Sequence, residues 1–277
     1  MRSVLFAPGN RTDVLAKMPR SAPDVAVIDL EDAVPAASKP EARKIASQLA
    51  QQLTAEAPKM QVFVRVNAAV SEFFDDDLAS LAAGLTGVVV PKLESSAQVA
   101  VVRDAFAAHG IEAGIFAGIE TAAGVEYAVE VLAADGVIGA YFGAEDFIAD
   151  MGGVRTAANT EVLYARSRVA LGGRLAGVPV VDQIVADFRD EDRFVTEASE
   201  ARALGYAGKL CIHPAQVALA NAAFVPSAEE LARAQALVAA YDEAVARGDA
   251  AIAFDGQMVD EPVARQARSL LARAEDA

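Results

Sequence analysis

The chain has 277 residues, 54% of them hydrophobic, with a formal net charge of −15, two histidines and one cysteine. That is enough apolar material for one large α/β barrel or two ordinary domains, and the acidic balance excludes a nucleic-acid groove, which needs a basic face. A lone Cys211 beside His109 and His213 leaves no disulfide framework and no Cys- or His-rich zinc site.

In chain order, eight short apolar or β-branched runs are predicted as strands: 2–8, 25–32, 61–67, 87–94, 113–120, 137–146, 178–185 and 207–214. Between them, 38–57, 74–83, 96–109, 123–134, 160–175 and 190–204 carry helix formers with apolar residues three and four apart. Near-continuous apolar strands alternating with helices require a parallel sheet covered on both faces. Eight of them in roughly 220 residues predict a TIM (β/α)8 barrel rather than an open doubly wound sheet. Beyond that point, 227–249 reads as one long helix, with Ser227 as N-cap and Gly248 as its stop, and a last helix is predicted from Val263. The expected organisation is a catalytic barrel over 1–222 and a C-terminal helical extension over 223–277. MRSVLFAPGN lacks the apolar length of a secretory leader, and no uncharged apolar run reaches eighteen residues. A cytoplasmic protein without a membrane span is expected.

In such a barrel the active site collects at the C-terminal ends of the strands. Those ends carry Pro8, Gly9, Asn10 and Arg11; Asp29, Glu31 and Asp32; Arg65 and Asn67; Lys92 and Glu94; Glu120; Glu145 and Asp146; Asp182; and His213. A carboxylate next to an apolar core is costly unless something pairs with it. Any one of these acids reads as a cap for the helix that follows. So many at one rim, with an arginine among them, point instead to a bound cation. All-oxygen donors suit hard ions, Mg2+ first, and Glu120 and Asp146 on neighbouring strands are its candidate ligands. Arg65 reads either as a structural partner of Glu31 or Asp32, or as a fork for a substrate carboxylate or enolate oxygen. Lys92 admits a Schiff-base aldolase as an alternative. Lys209 and Asp182 read as structural, and His213 as a loop-shaping or ligand-binding side chain. The APGNR turn offers backbone N–H groups to an anion, with Arg11 or Lys17 adding charge.

The segments RSVLFAPGN, DLEDAV, VRVN, VVVPKLES, GIET, FGAEDF and KLCIHPAQV, in that order over about residues 2–217, with FDGQMVDEP near the C-terminus, resemble the citrate lyase beta-subunit-like branch of the HpcH/HpaI aldolase family. The resemblance implies a metal-dependent barrel, a homotrimer or built from trimers, that makes or breaks a carbon–carbon bond beside a thioester. It implies Glu120 and Asp146 as Mg2+ ligands, Glu31 and Asp32 as acids holding metal-bound waters, and Arg65 as the substrate-binding arginine. Pro8, Asn10 and Arg11 would form part of a coenzyme A surface, and Asp260 would be the acid that a C-terminal lid offers to a neighbouring subunit. Gln257 departs from the Lys or Ser common at its place. The expected activity is cleavage of a malyl-, citramalyl- or citryl-type thioester to acetyl-CoA and an α-keto acid, or the reverse condensation. A non-autonomous beta subunit acting on an acyl-carrier-protein thioester is the alternative within the family.

Overall fold

The computed structural model describes residues 1–275, which divide into a unit of Met1–Asn221 and a second unit from Ala222 onward. In the first, eight parallel strands close a barrel in sequence order: β1 (Ser3–Pro8), β2 (Val25–Asp29), β3 (Gln61–Arg65), β4 (Gly87–Val90), β5 (Gly114–Ile119), β6 (Val137–Phe142), β7 (Val180–Asp182) and β8 (Gly208–Cys211). Closure is by β8 on β1, with Leu210 opposite Val4. The TIM barrel is therefore the fold. The strands are Val- and Ile-rich because both faces are covered, inside by side chains from across the barrel and outside by helices.

Those helices are α1 (Thr12–Leu15), α2 (Lys39–Glu56), α3 (Phe74–Ser80), α4 (Ser96–Ala108), α5 (Ala122–Glu126), α6 (Ala128–Leu132), α7 (Ala144–Met151), α8 (Leu163–Ala176), α9 (Glu191–Leu204) and α10 (Pro214–Ala223). The barrel interior is filled by Val4, Val25, Val27, Phe63, Val89, Phe116, Tyr141, Val181 and Leu210. Aromatic rings fit inside so narrow a cylinder because glycine faces them. A Cβ on Gly118 would stand 2.6 Å from the Tyr141 hydroxyl, and one on Gly139 2.8 Å from the Phe116 ring.

Several predicted strands overrun the observed ones, 25–32 ending at Asp29, 61–67 at Arg65 and 87–94 at Val90, and two readings change more. The run 137–146 is not one strand: β6 stops at Phe142, and Glu145 and Asp146 stand in the first turn of α7. Acids there meet the positive end of the helix dipole, the helix-capping role that each rim acid also allowed. The predicted helix 123–134 is interrupted at Tyr127 into α5 and α6.

The second unit contains α11 (Ala228–Ala246), a hairpin of β9 (Ile252–Phe254) and β10 (Gln257–Val259), and α12 (Glu261–Glu275). Ser227 and Glu230 cap α11 reciprocally, each side chain accepting the other's backbone N–H. The hairpin, which hydrophobic periodicity alone did not reveal, turns on Asp255 and Gly256, both at positive φ (48° and 73°). That is the Asp-Gly chemistry of a two-residue turn. Leu237, Tyr241, Val259 and Ala264 make a small core of this unit's own. No helix among the described residues is long and apolar enough to cross a membrane.

Candidate active site

Glu120 follows directly on β5 and is 1% exposed. Both of its oxygens are fixed: Oε1 accepts the Lys92 backbone N–H at 3.0 Å, and Oε2 accepts the Tyr141 hydroxyl at 2.8 Å. Lys92 presents that N–H from a left-handed backbone (φ 55°), uncommon for a non-glycine residue, just after Pro91. Gly143, at the turn from β6 into α7, leaves the space: a Cβ there would sit 2.5 Å from Glu120 Oε2. Burial first, then the negative charges of Glu31 and Asp146, push the Glu120 carboxyl up to about 7. Burial and the Glu120 charge raise Tyr141 well above the ordinary range, so its hydroxyl stays protonated and donates.

Arg65 ends β3 directly opposite Asp29 of β2 in the sheet register. That adjacency makes Asp29, rather than Asp32, its main partner. Nε donates to Asp29 Oδ1 at 2.7 Å and Nη2 to Oδ2 at 2.6 Å, while Nη1 lies 3.0 Å from Glu31 Oε2. The guanidinium carries five N–H groups in a fork, of which Asp29 takes two as hydrogen bonds. Its flat face covers the Phe6 ring at 5.1 Å.

The Lys92 ammonium lies among the acids, 2.6 Å from Glu31 Oε1, 3.5 Å from Asp32 and 3.4 Å from Asp146. Burial opposes its charge, but these carboxylates, Glu31 above all, raise its pKa above the ordinary value. A Schiff-base lysine needs a neutral, nucleophilic amine, so this setting disfavours the aldolase alternative. The loop bearing Glu31 and Asp32 is held from behind by buried Lys39, which donates to the carbonyls of Leu30 (2.7 Å) and Glu31 (2.9 Å) and to Asn67 Oδ1 (2.8 Å).

These groups share a cleft of about 350 Å³ whose lining includes Asp29, Asp32, Glu120, Glu145 and Asp146 with Arg65, and whose apolar wall is Phe6, Ile184, Leu210 and Ile212. Glu31 Oε2 is buried and makes no aligned hydrogen bond, despite its closeness to Arg65. Among the described residues no group of three or more His, Cys, Asp or Glu side chains is arranged to hold a metal ion. A crowded, partly protonated carboxyl next to a second carboxylate nonetheless fits a hard divalent ion, which takes one or two protein carboxylates and keeps several waters.

The other expected residues fall as follows. Pro8 lines the cleft, Asn10 is half-buried, and exposed Arg11 pairs with its neighbour Asp13 at 2.9 Å. Asp260 stands in the second unit before α12, its Oδ1 3.4 Å from the Val263 N–H. Asp182 and Lys209 are fully buried partners at 2.9 Å, structural as expected. His213 stacks on Phe188 with ring centroids 4.5 Å apart, and its Nδ1 accepts the Ala215 N–H, which fixes a loop. Sequence reasoning gave no role to Tyr141 or Gly143. Alternation along β6 places Tyr141 on the inward face, and that signal was legible.

The family model described as HpcH/HpaI aldolase/citrate lyase matches residues 2–214. A citrate lyase subunit beta-like protein of Deinococcus radiodurans is 54% identical over 273 residues, covering 98% of this chain and 96% of that one. The mitochondrial citramalyl-CoA lyase of Homo sapiens is 31% identical, over 99% of this chain and 85% of its own length. A crystal structure of CitE from Mycobacterium tuberculosis in complex with magnesium, acetoacetate and coenzyme A matches with a TM-score of 0.85 and 35% identity, covering 99% of this chain and 100% of that one. Barrel, rim acids and these likenesses agree: the chain belongs to the HpcH/HpaI aldolase/citrate lyase family.

Proposed function

We propose that this protein is a Mg2+-dependent carbon–carbon lyase. Its substrate is a β-hydroxyacyl-CoA thioester of the malyl, citramalyl or citryl type, and its products are acetyl-CoA and an α-keto acid. The observation that carries the reading is Glu120: a fully buried carboxyl raised to about 7 by burial and by Glu31 and Asp146, in a cleft that Arg65, held by Asp29, also lines. The magnesium and coenzyme A of the Mycobacterium tuberculosis neighbour support it.

Glu120 and Asp146 would hold the ion, with Glu31 and Asp32 accepting hydrogen bonds from its waters. Bound there, Mg2+ supplies Lewis-acid stabilisation of negative charge on the substrate oxygens. Arg65, fixed by Asp29 and Phe6, turns N–H groups that Asp29 leaves unused to the substrate carboxylate or the nascent enolate oxygen. The substrate hydroxyl gives up its proton to a rim carboxylate, and its C–O becomes C=O as the adjacent C–C bond breaks. The bonding pair passes to the carbon α to the thioester carbonyl, giving an enolate, which a proton at that carbon converts to acetyl-CoA. Asp260, offered to a neighbouring subunit's site, is the proposed donor of that proton, and Asp260→Asn tests the role separately. Tyr141 and the Lys92 N–H keep Glu120 from swinging during the cycle.

Assay of the purified chain on malyl-, citramalyl- and citryl-CoA, each with and without Mg2+, tests the proposal. Metal-dependent acetyl-CoA release from at least one substrate is expected. Turnover unaffected by EDTA refutes it, and turnover only on a carrier-protein thioester favours the non-autonomous subunit.

A further inference from the structure

Two adjacent acids, Glu145 and Asp146, stand in the first turn of α7, and both line the cleft. Their partners differ. Glu145 is gripped by Arg155, whose Nε lies 3.0 Å from its Oε1, whereas Asp146 meets the Lys92 ammonium at 3.4 Å. Arg155 is itself anchored on its far side. Nη1 donates to Glu161 Oε1 at 2.6 Å, and Nη2 to Asn159 Oδ1 at 3.1 Å. Asn159, buried and left-handed (φ 54°), accepts at the same oxygen from Gln183 Nε2 at 3.2 Å. Gln183 reaches Glu197, which pairs with Lys209 of β8 at 3.2 Å. The guanidinium thus ties the head of α7 to the barrel wall at β7 and β8. Arg193, whose charge Glu145 also feels, is engaged by Glu197 at 2.8 Å.

We propose that Arg155 is a positioning residue that withdraws Glu145 from the divalent-ion site and leaves Asp146 as the one carboxylate that α7 offers to it. The inference rests on the metal reading above. Its consequence is selectivity. Mg2+ is small, keeps its waters and takes one or two carboxylates, whereas Ca2+ accepts six to eight oxygens in flexible geometry and binds tighter as carboxylates are added. Holding Glu145 away keeps the donor set at the size that suits Mg2+.

Calorimetric titration with Mg2+ and with Ca2+ tests this on the wild type, Arg155→Met, Arg155→Lys, Glu145→Gln, the Arg155→Met/Glu145→Gln double variant and Asp146→Asn. Arg155→Met is expected to bind Ca2+ about tenfold tighter while Mg2+ affinity changes less than about threefold. The double variant should return to the wild-type ratio, because Glu145 is then neutral, and Arg155→Lys should stay near wild type by keeping the pair. Glu145→Gln alone, with Arg155 in place, should leave the Ca2+/Mg2+ ratio unchanged and keeps the question open to test if Arg155→Met unfolds. An equal gain for both ions would report only a lost positive charge and would overturn the proposal. So would a gain that survives in the double variant, or a ratio that moves in Glu145→Gln. If Asp146→Asn binds Mg2+ like the wild type, the metal reading itself fails and this inference with it. If Asp146→Asn loses the ion while Arg155→Met changes nothing, only the role of Arg155 is wrong.

Discussion

Replacing Glu120 by Gln should stabilise the metal-free protein, and only at neutral and alkaline pH. The folded carboxyl is raised from its ordinary 4.5 to about 7. At about 1.36 kcal/mol per pH unit, that difference is worth roughly 3 kcal/mol. Below pH 4.5 the group is protonated in folded and unfolded chains alike, and no penalty exists. As pH rises from 4.5 to 7 the unfolded chain releases its proton first, so stability falls; above 7 the full penalty is present. Gln stays neutral throughout and keeps both hydrogen bonds, its carbonyl accepting from the Lys92 N–H and its amide donating to the Tyr141 hydroxyl. Urea denaturation of EDTA-treated proteins from pH 4.5 to 8.5 measures the difference. The variant should match wild type at the acid end and exceed it by roughly 3 kcal/mol at the alkaline end. Mg2+ at a hundred times its Kd should then return about 2.7 kcal/mol to the wild type and nothing to the variant. A stability difference that does not vary with pH would refute the placement of a strained carboxyl at Glu120.

Three further outcomes are expected. Gly143→Ala puts a methyl 2.5 Å from Glu120 Oε2, so that carboxylate must move; overpacking of this kind destabilises by about 1–3 kcal/mol, and Mg2+ affinity by calorimetry should fall in parallel. Arg65→Lys keeps the charge but loses the fork that grips Asp29, and kcat/KM should drop about a hundredfold or more, with a smaller change in Mg2+ affinity. Asp260→Asn should lower kcat by about a hundredfold or more while Mg2+ binding and substrate KM hold, the pattern of a lost proton donor.

The barrel was legible because its signal is redundant. Runs such as VAVID and GVVV are apolar on both faces, and only a sheet sandwiched between its own interior and a helical layer buries both. Element ends were less so. Glu145 and Asp146 read as the end of a strand, although two acids after a glycine are also the start of a helix, and periodicity cannot separate these over four residues. The rim acids could be named from their positions, but their pairing only in part: Glu31 was an expected partner of Arg65, Asp29 was not. Arg65 meets Asp29 because the register of β2 and β3 sets them side by side, and register is a property of two strands at once. The left-handed Lys92 backbone, which aims an amide at Glu120, has no signature in PKLE. Tyr141 was within reach, since it alternates inward along β6 two residues before Gly143.

The most direct measurement is a crystal structure of the protein grown with Mg2+. One ion is expected with an oxygen of Glu120 and an oxygen of Asp146 each about 2.1 Å away, waters at its other positions, and the Lys92 ammonium displaced from Asp146. An ion bound elsewhere, or Lys92 still lying between Glu31 and Asp146 with no ion at Glu120 under saturating Mg2+, would contradict the assignment of these two carboxylates.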